Sequence, residues 1–270
     1  MPSSSRVVLV TGTSSGFGRA IALALHARGD RVYGTARSAP TPADFPQLAL
    51  DVTDEASVNA AVEAVLKQAG RLDAVVNNAG YGLAGAVEDT SVAEAQAQFD
   101  TNFFGVHRVC RAVLPHFRAQ GHGRIVIVGS LAGKVALPFQ GLYCASKFAL
   151  DGYAEALRME VRPFGVQVCL VEPGDYATGF TSNRRRSAAS GAGSPYGEML
   201  ERALAITIRD EQANEDLSPL ARTVLRALDL PRPSLRLPTA TLAQRLLLVV
   251  RPFVPDGWVE WVVEKLYELR

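Results

Sequence analysis

Neither sign of charge dominates this sequence: 28 Lys and Arg stand against 27 Asp and Glu, for a formal net charge of +1. So even a balance gives no support to nucleic-acid binding driven by phosphate neutralisation. Cysteine is scarce, with 3 residues (Cys110, Cys144 and Cys169) widely spaced and outside any Cys-x-x-Cys pattern. That rules against a disulfide framework and points to reduced, buried thiols in a cytoplasmic protein. The 4 histidines, His26, His107, His116 and His122, share no metal-ligand spacing. His107 and Cys110 could share a helix face, but no second pair completes a structural site, so no metal is assigned. Long apolar runs are missing as well. Nothing approaches the ~18 residues of a membrane span, and Val7 to Val10 is too short for a signal peptide's apolar region. The expectation is a soluble, cytoplasmic protein.

What the sequence does have is an apolar content of 48% in 270 residues, enough to bury a large core. Met1 to Ser5 reads as a mobile polar lead. Arg6 to Val10 reads as a buried strand, followed at once by Thr11-Gly12-Thr13-Ser14-Ser15-Gly16-Phe17-Gly18 and then by a helix ending near Gly29. Strand, glycine-rich turn and helix in that order make a phosphate cradle. Gly12 allows the tight turn, Gly16 lets backbone approach a pyrophosphate, and Gly18 permits close packing of helix on strand. The helix amino terminus adds free N–H groups and a positive dipole end.

In dinucleotide folds an acidic residue ~20 residues past the glycines bonds the adenosine ribose. Here the end of the second strand, Arg31 to Thr35, is followed by Ala36-Arg37-Ser38, with no carboxylate. A carboxylate would repel a 2′-phosphate, whereas Arg37 offers it a fork of charge-assisted donors. Such bonds are worth about 1.5–3 kcal/mol, so NADP(H) is expected over NAD(H).

Ala39 to Pro46 reads as a loop. Leu48 to Leu50 is a third strand ending in Asp51-Val52, and Thr53 or Asp54 caps a helix that stops at Gly70. Asp73 to Val76 is a fourth strand, followed by the small polar turn Asn77-Asn78-Ala79-Gly80. Glu94 to Phe117 reads as helix with a bend near Asn102 to Gly105, because asparagine is a poor mid-helix residue. Ile125 to Gly129 is another buried strand, and Ser130 at its carboxyl end lies where open parallel sheets bind ligands.

Tyr143 and Lys147, four apart, share a helix face. Moving a tyrosine pKa from ~10 to near neutrality takes roughly 4 kcal/mol, about what one cation ~4 Å away supplies at an effective dielectric of about 20. The spacing therefore predicts a phenol whose pKa Lys147 lowers. Val166 to Val171 adds a strand ended by Pro173-Gly174, and Leu235 to Leu237 a last one. This βαβ alternation implies a doubly wound parallel sheet with helices on both faces.

Asp175 to Gly197, with Arg184-Arg185-Arg186 at its middle, reads as a solvated substrate lid or loop. Ser218 to Leu228 is helical, with Pro219 near its start. Residues 239–270 form two amphipathic helices broken by Pro252 and Pro255. Their apolar faces are expected to cover the substrate side of the sheet or a partner subunit. Peripheral membrane contact is the less favoured alternative, since the segment lacks a basic polar face.

Over residues 6 to 238 the chain resembles the short-chain dehydrogenase/reductase family, whose fold is Rossmann-like α/β. The resemblance rests on Thr11-Gly-x3-Gly16-x-Gly18, Asn77-Asn-Ala-Gly80, Ser130, Tyr143-x3-Lys147 and Pro173-Gly174, in order and at family spacing. It implies one dinucleotide-binding and catalytic domain with Ser130, Tyr143, Lys147 and Asn102 as catalytic residues. The implied cofactor contacts are residues 12–18, Arg37, Asp51 toward the adenine, Val52, Asn78, Ala79, Gly80, Pro173, Gly174 and Thr178, besides Tyr143 and Lys147. Phe17 replaces a more usual aliphatic residue. Leu131, Leu137, Phe139, Tyr176 and Phe180 are the candidate substrate pocket, which suits a hydrophobic ketone, aldehyde or secondary alcohol. An NAD-dependent alcohol or hydroxysteroid dehydrogenase is the alternative activity, and a homodimer or homotetramer the implied assembly.

Overall fold

Short runs of valine, isoleucine and leucine without polar alternation form strands covered on both faces, and here they assemble into one parallel sheet. The computed structural model describes residues 5–37 and 43–269, without the side chains of residues 247–249 and 252. Most of the polar lead at 1–5 and part of the loop at 39–46 lie outside the described residues.

β1 (Val7–Val10) turns through the glycines into α1 (Gly16–Ala27), followed by β2 (Arg31–Ala36), β3 (Gln47–Ala49), α2 (Glu55–Ala69) and β4 (Ala74–Asn77). Then come β5 (Leu83–Ala84), α3 (Val92–Phe99), α4 (Gly105–Gln120), β6 (Gly123–Val128), α5 (Gly141–Val161) and β7 (Val166–Pro173). The last part holds α6 (Gly179–Ser182), β8 (Arg185–Arg186), α7 (Gly197–Gln212), α8 (Ser218–Asp229), β9 (Arg236–Thr239), α9 (Leu242–Val250) and α10 (Asp256–Leu266).

The main sheet has seven strands in the order β3-β2-β1-β4-β6-β7-β9, each neighbouring pair parallel. Strand order reverses between β1 and β4, so the crevice beyond their carboxyl ends is the expected ligand site. One face packs on α2, α4 and α5 through Val62, Val113, Phe117 and Leu150. The other packs on α1 and α8 through Ile21, Leu25, Leu220 and Val224. This is the Rossmann-like architecture expected from the βαβ alternation.

The bend expected near Asn102 is a π-turn, Asp100–Phe104, joining α3 to α4. Such single-turn bulges concentrate at functional sites. The expectation of a solvated loop over 175–197 needs correction. β8 pairs in parallel with β5, and Arg184 is a buried side chain paired with Glu211 of α7. Arg185 lies over the Tyr81 ring, 4.3 Å from its centroid. The triple arginine therefore runs past three different partners, since Arg186 pairs with Glu201. α7 itself went unread, although Leu200, Ala203, Leu204 and Thr207 bury one face at helical spacing.

Among the described residues no helix is long and apolar enough to cross a membrane. The two carboxyl-terminal helices form as expected, but their apolar residues do not all turn inward. Leu242, Leu246, Phe253, Trp258 and Trp261 are exposed.

Candidate active site

The glycine turn after β1 is held in shape by β4. Thr11 Oγ1 accepts the N–H groups of Asn78 (2.9 Å) and Ala79 (3.0 Å). The Asn78 amide in turn donates to the Thr11 and Gly12 carbonyls at 2.9 and 3.0 Å. Gly12 sits at φ +71°, and a Cβ on Gly18 would lie 2.1 Å from the Gly12 carbonyl oxygen. Only glycine tolerates either position. The amino terminus of α1 has no side-chain cap and no acid in its first turn. Its N–H groups and dipole are left for an anionic ligand. Thr178 caps α6 and rests on Gly16, where an added Cβ would stand 3.4 Å from that of Thr178.

One cavity of about 710 Å³ runs from this cradle, past Arg37 and Val52, to Ser130, Tyr143 and Lys147. Its shape and its donors fit a dinucleotide. Of the expected cofactor contacts, Gly12, Ser14, Ser15, Gly16, Phe17, Asn78, Ala79, Gly80, Pro173, Gly174 and Thr178 line it as well. Thr13, Gly18 and Asp51 do not. Thr13 is buried beneath the turn, bonded to Thr35 and Gln47. Asp51 accepts the N–H and hydroxyl of Thr53. Partial burial would raise its carboxyl, but those bonds and the charges of Arg37 and Arg108 hold it below the ordinary range.

Ser130 lies two residues past β6 and caps a 3-10 turn by accepting the Ala132 N–H at 3.0 Å, which leaves its own proton free to donate. Tyr143 lies in the first turn of α5, with the Ser130 hydroxyl near enough to favour its ionised form. Asp151, one of several residues fixing α5, pairs with Lys134 at 2.5 Å and Arg236 at 2.8 Å. Lys147 Nζ lies 5.8 Å from the Tyr143 ring centroid and donates to the Val128 carbonyl at 3.0 Å.

The electrostatics differ from the expectation of a lowered tyrosine. Burial drives the Tyr143 phenol well above its ordinary pKa, against the smaller pull of the nearby Ser130 hydroxyl. Burial also pushes the Lys147 ammonium down to about 8. Desolvation sets both shifts because both groups are enclosed.

Asn102 is buried in the π-turn and does not face the cavity. Its Oδ1 accepts the Tyr81 N–H at 3.1 Å, and its Nδ2 donates to the Tyr81 carbonyl at 3.0 Å and to Ser146 Oγ at 3.3 Å. The side chain is a clamp between the β4 loop and α5.

Leu131, Leu137, Tyr176 and Phe180 line the cavity as expected. The Phe180 ring lies tilted at 54° to that of Tyr143, their centroids 5.5 Å apart, and Tyr176 meets Phe17 edge-on at 5.6 Å. Phe139 does not belong there. It adopts φ 59° and packs toward Ala84, Leu200 and Leu204, outside the cavity. Val263, Leu266 and Tyr267 at the carboxyl-terminal helix line the far wall of the cavity, on the substrate side expected of that segment, whereas Tyr81, Arg185, Gln244 and the α7 residues Ile206, Asp210 and Glu211 were unread in the sequence. Glu211 is buried and also accepts the Thr181 hydroxyl at 2.6 Å. The helical spacing of α7 was the available signal for part of this wall.

The family model for short chain dehydrogenases matches residues 6–189. The chain is 38% identical to the 3-ketodihydrosphingosine reductase of Bacteroides thetaiotaomicron over 266 residues, 98% of this chain and 99% of that protein. Its fold matches that of a short-chain dehydrogenase from Streptomyces avermitilis with a TM-score of 0.82, at 34% identity and 97% coverage of both chains. A short chain dehydrogenase/reductase from Burkholderia phymatum, solved in complex with NAD, gives 0.80 at 25% identity, covering 94% of this chain and 95% of that one. The chain belongs to the short-chain dehydrogenase/reductase family of oxidoreductases.

Proposed function

We propose that the protein reduces the ketone of a long-chain amphipathic substrate with NADPH. The single observation that carries the substrate class is the far wall of the cavity. There Ile206, Val263 and Leu266 offer apolar surface beside the carboxyl of Asp175, while Asp210 and Glu211 are paired with Arg209 and Arg184. An apolar chain with a cationic group near its ketone suits that apolar surface and the Asp175 carboxyl. The whole-length likeness to a reductase named for 3-ketodihydrosphingosine, a long-chain amino ketone, supports the same class.

Bound NADPH supplies the hydride. Ser130 Oγ, already accepting from Ala132, donates to the carbonyl oxygen of the substrate and orients it. Tyr143 gives the proton to that oxygen. Its raised pKa keeps the phenol protonated until charge develops on the substrate. Lys147, near 8, exchanges a proton readily and has two further N–H donors for ribose hydroxyls beyond the one on Val128. With the Asn102 amide committed to Tyr81, any part of Asn102 in carrying protons from solvent falls to its main-chain carbonyl. Arg37, exposed at the end of β2 and lining the cavity, is the residue for a 2′-phosphate. NAD(H) is the second reading, favoured by the NAD bound in the Burkholderia neighbour.

The test is NADPH consumption by the purified protein against ketones that differ in chain length and in an amine beside the carbonyl. The long-chain amino ketone should exceed its amine-free counterpart by about tenfold or more in kcat/KM. Equal turnover of short, uncharged ketones would remove the proposed substrate class.

A further inference from the structure

We infer that the outer face of the two carboxyl-terminal helices docks on a lipid bilayer and brings the rim of the cavity to the membrane surface. On α9, Leu242, Leu246 and Val250 recur every fourth residue on one exposed stripe, with Leu242 85% exposed. Phe253, also 85% exposed, follows in the 3-10 turn. On α10, Trp258, Trp261, Val262 and Leu266 fall at i, i+3, i+4 and i+8, so they form a second exposed stripe.

Charge is sorted around that stripe. Lys265 is the charge within it, its ammonium 5.3 Å from the Trp261 ring centroid. The acids Asp256, Glu260 and Glu264 recur every fourth residue along a different side of α10. Cation and aromatic rings are therefore presented together, as suits the headgroup layer, where tryptophan concentrates. An exposed apolar patch with this rim marks an interaction surface.

The choice of a bilayer over a second copy of the chain rests on continuity with the active site. Val263 and Tyr267, on the inner side of the same helix, line the cavity. Leu266 belongs to both faces, being 61% exposed and part of the cavity lining. An apolar substrate leaving the membrane at this face would meet the cavity without crossing water. The docking itself does not depend on the ketone reading, because its test needs no turnover.

Both tryptophans of the chain, Trp258 and Trp261, lie on this face, so intrinsic fluorescence reports on it alone. The full chain is mixed with phosphatidylcholine vesicles and followed by flotation and by tryptophan emission. Docking predicts co-flotation and a blue shift with added lipid. A triple variant, Leu242→Ser, Leu246→Ser and Phe253→Ser, keeps both tryptophans and leaves the cavity lining intact. It should lower vesicle partition by about tenfold or more while keeping NADPH affinity. A blue shift that follows protein concentration without lipid would assign the face to self-association and overturn the inference. So would an emission unmoved by vesicles, or a triple variant that floats as well as the parent.

Discussion

Replacing Lys147 by methionine should stabilise the cofactor-free protein near neutral pH. Burial moves the lysine from 10.5 to about 8. At about 1.4 kcal/mol per pH unit, keeping the ammonium enclosed costs roughly 3 kcal/mol. Methionine fills similar space without charge and gives up the bond to Val128, worth about 1 kcal/mol. The net gain near neutrality is then about 2 kcal/mol. Its pH dependence is the sharper test. Below about 8 the amine carries its proton in both folded and unfolded chains, and the folded state bears the whole cost. From about 8 up to 10.5 the unfolded chain keeps the proton while the folded one has lost it, so the native protein gains stability as pH rises. The advantage of Lys147→Met should therefore shrink by about 1 kcal/mol between roughly pH 8 and 9. The buried thiols of Cys110, Cys144 and Cys169, raised to about 12, 11 and 12, titrate differently in the two states as well, but equally in both proteins. Urea unfolding followed by circular dichroism at a series of pH values measures the difference. An advantage of constant size, or a methionine variant less stable than the parent near neutrality, would refute the reasoning.

Gly18→Ala would set a Cβ 2.1 Å from the Gly12 carbonyl oxygen and 2.4 Å from Asn78 Nδ2, forcing the cradle open. NADPH affinity by titration calorimetry should fall by about a hundredfold through lost phosphate hydrogen bonds, and unchanged affinity would mean the turn carries no phosphate. Arg37→Ala should raise the KM for NADPH by roughly ten- to a hundredfold and leave that for NADH unmoved. An equal effect on both cofactors, or none, would remove Arg37 as the 2′-phosphate residue.

The cradle, the Asn78 turn and the Ser130, Tyr143 and Lys147 trio could be read from the sequence because each is a local pattern. Glycine spacing on a strand-to-helix turn, or a serine at a strand end, keeps its meaning whatever packs around it. The parts that resisted reading are set by tertiary neighbours. Arg184 looks like one of three solvated cations until Glu211, 27 residues on, is placed beside it. Phe139 is apolar and near Leu137 in sequence, yet its positive φ turns it into another cluster. The Tyr143 pKa went astray for the same reason. Spacing shows that a lysine is near, but only the fold shows that both groups are enclosed and that desolvation sets their shifts. Asn102 was legible as an anomaly in a helix, and the structure shows the π-turn and the Tyr81 clamp that explain it.

The central claim is that Tyr143 supplies the proton to a ketone oxygen in this cavity. Tyr143→Phe removes one hydroxyl and keeps the ring against Phe180. With a saturating long-chain amino ketone, single-turnover oxidation of NADPH should slow by about a hundred- to ten-thousandfold, while the dissociation constant for NADPH stays within about twofold. Full turnover by the phenylalanine variant with NADPH bound would contradict the account.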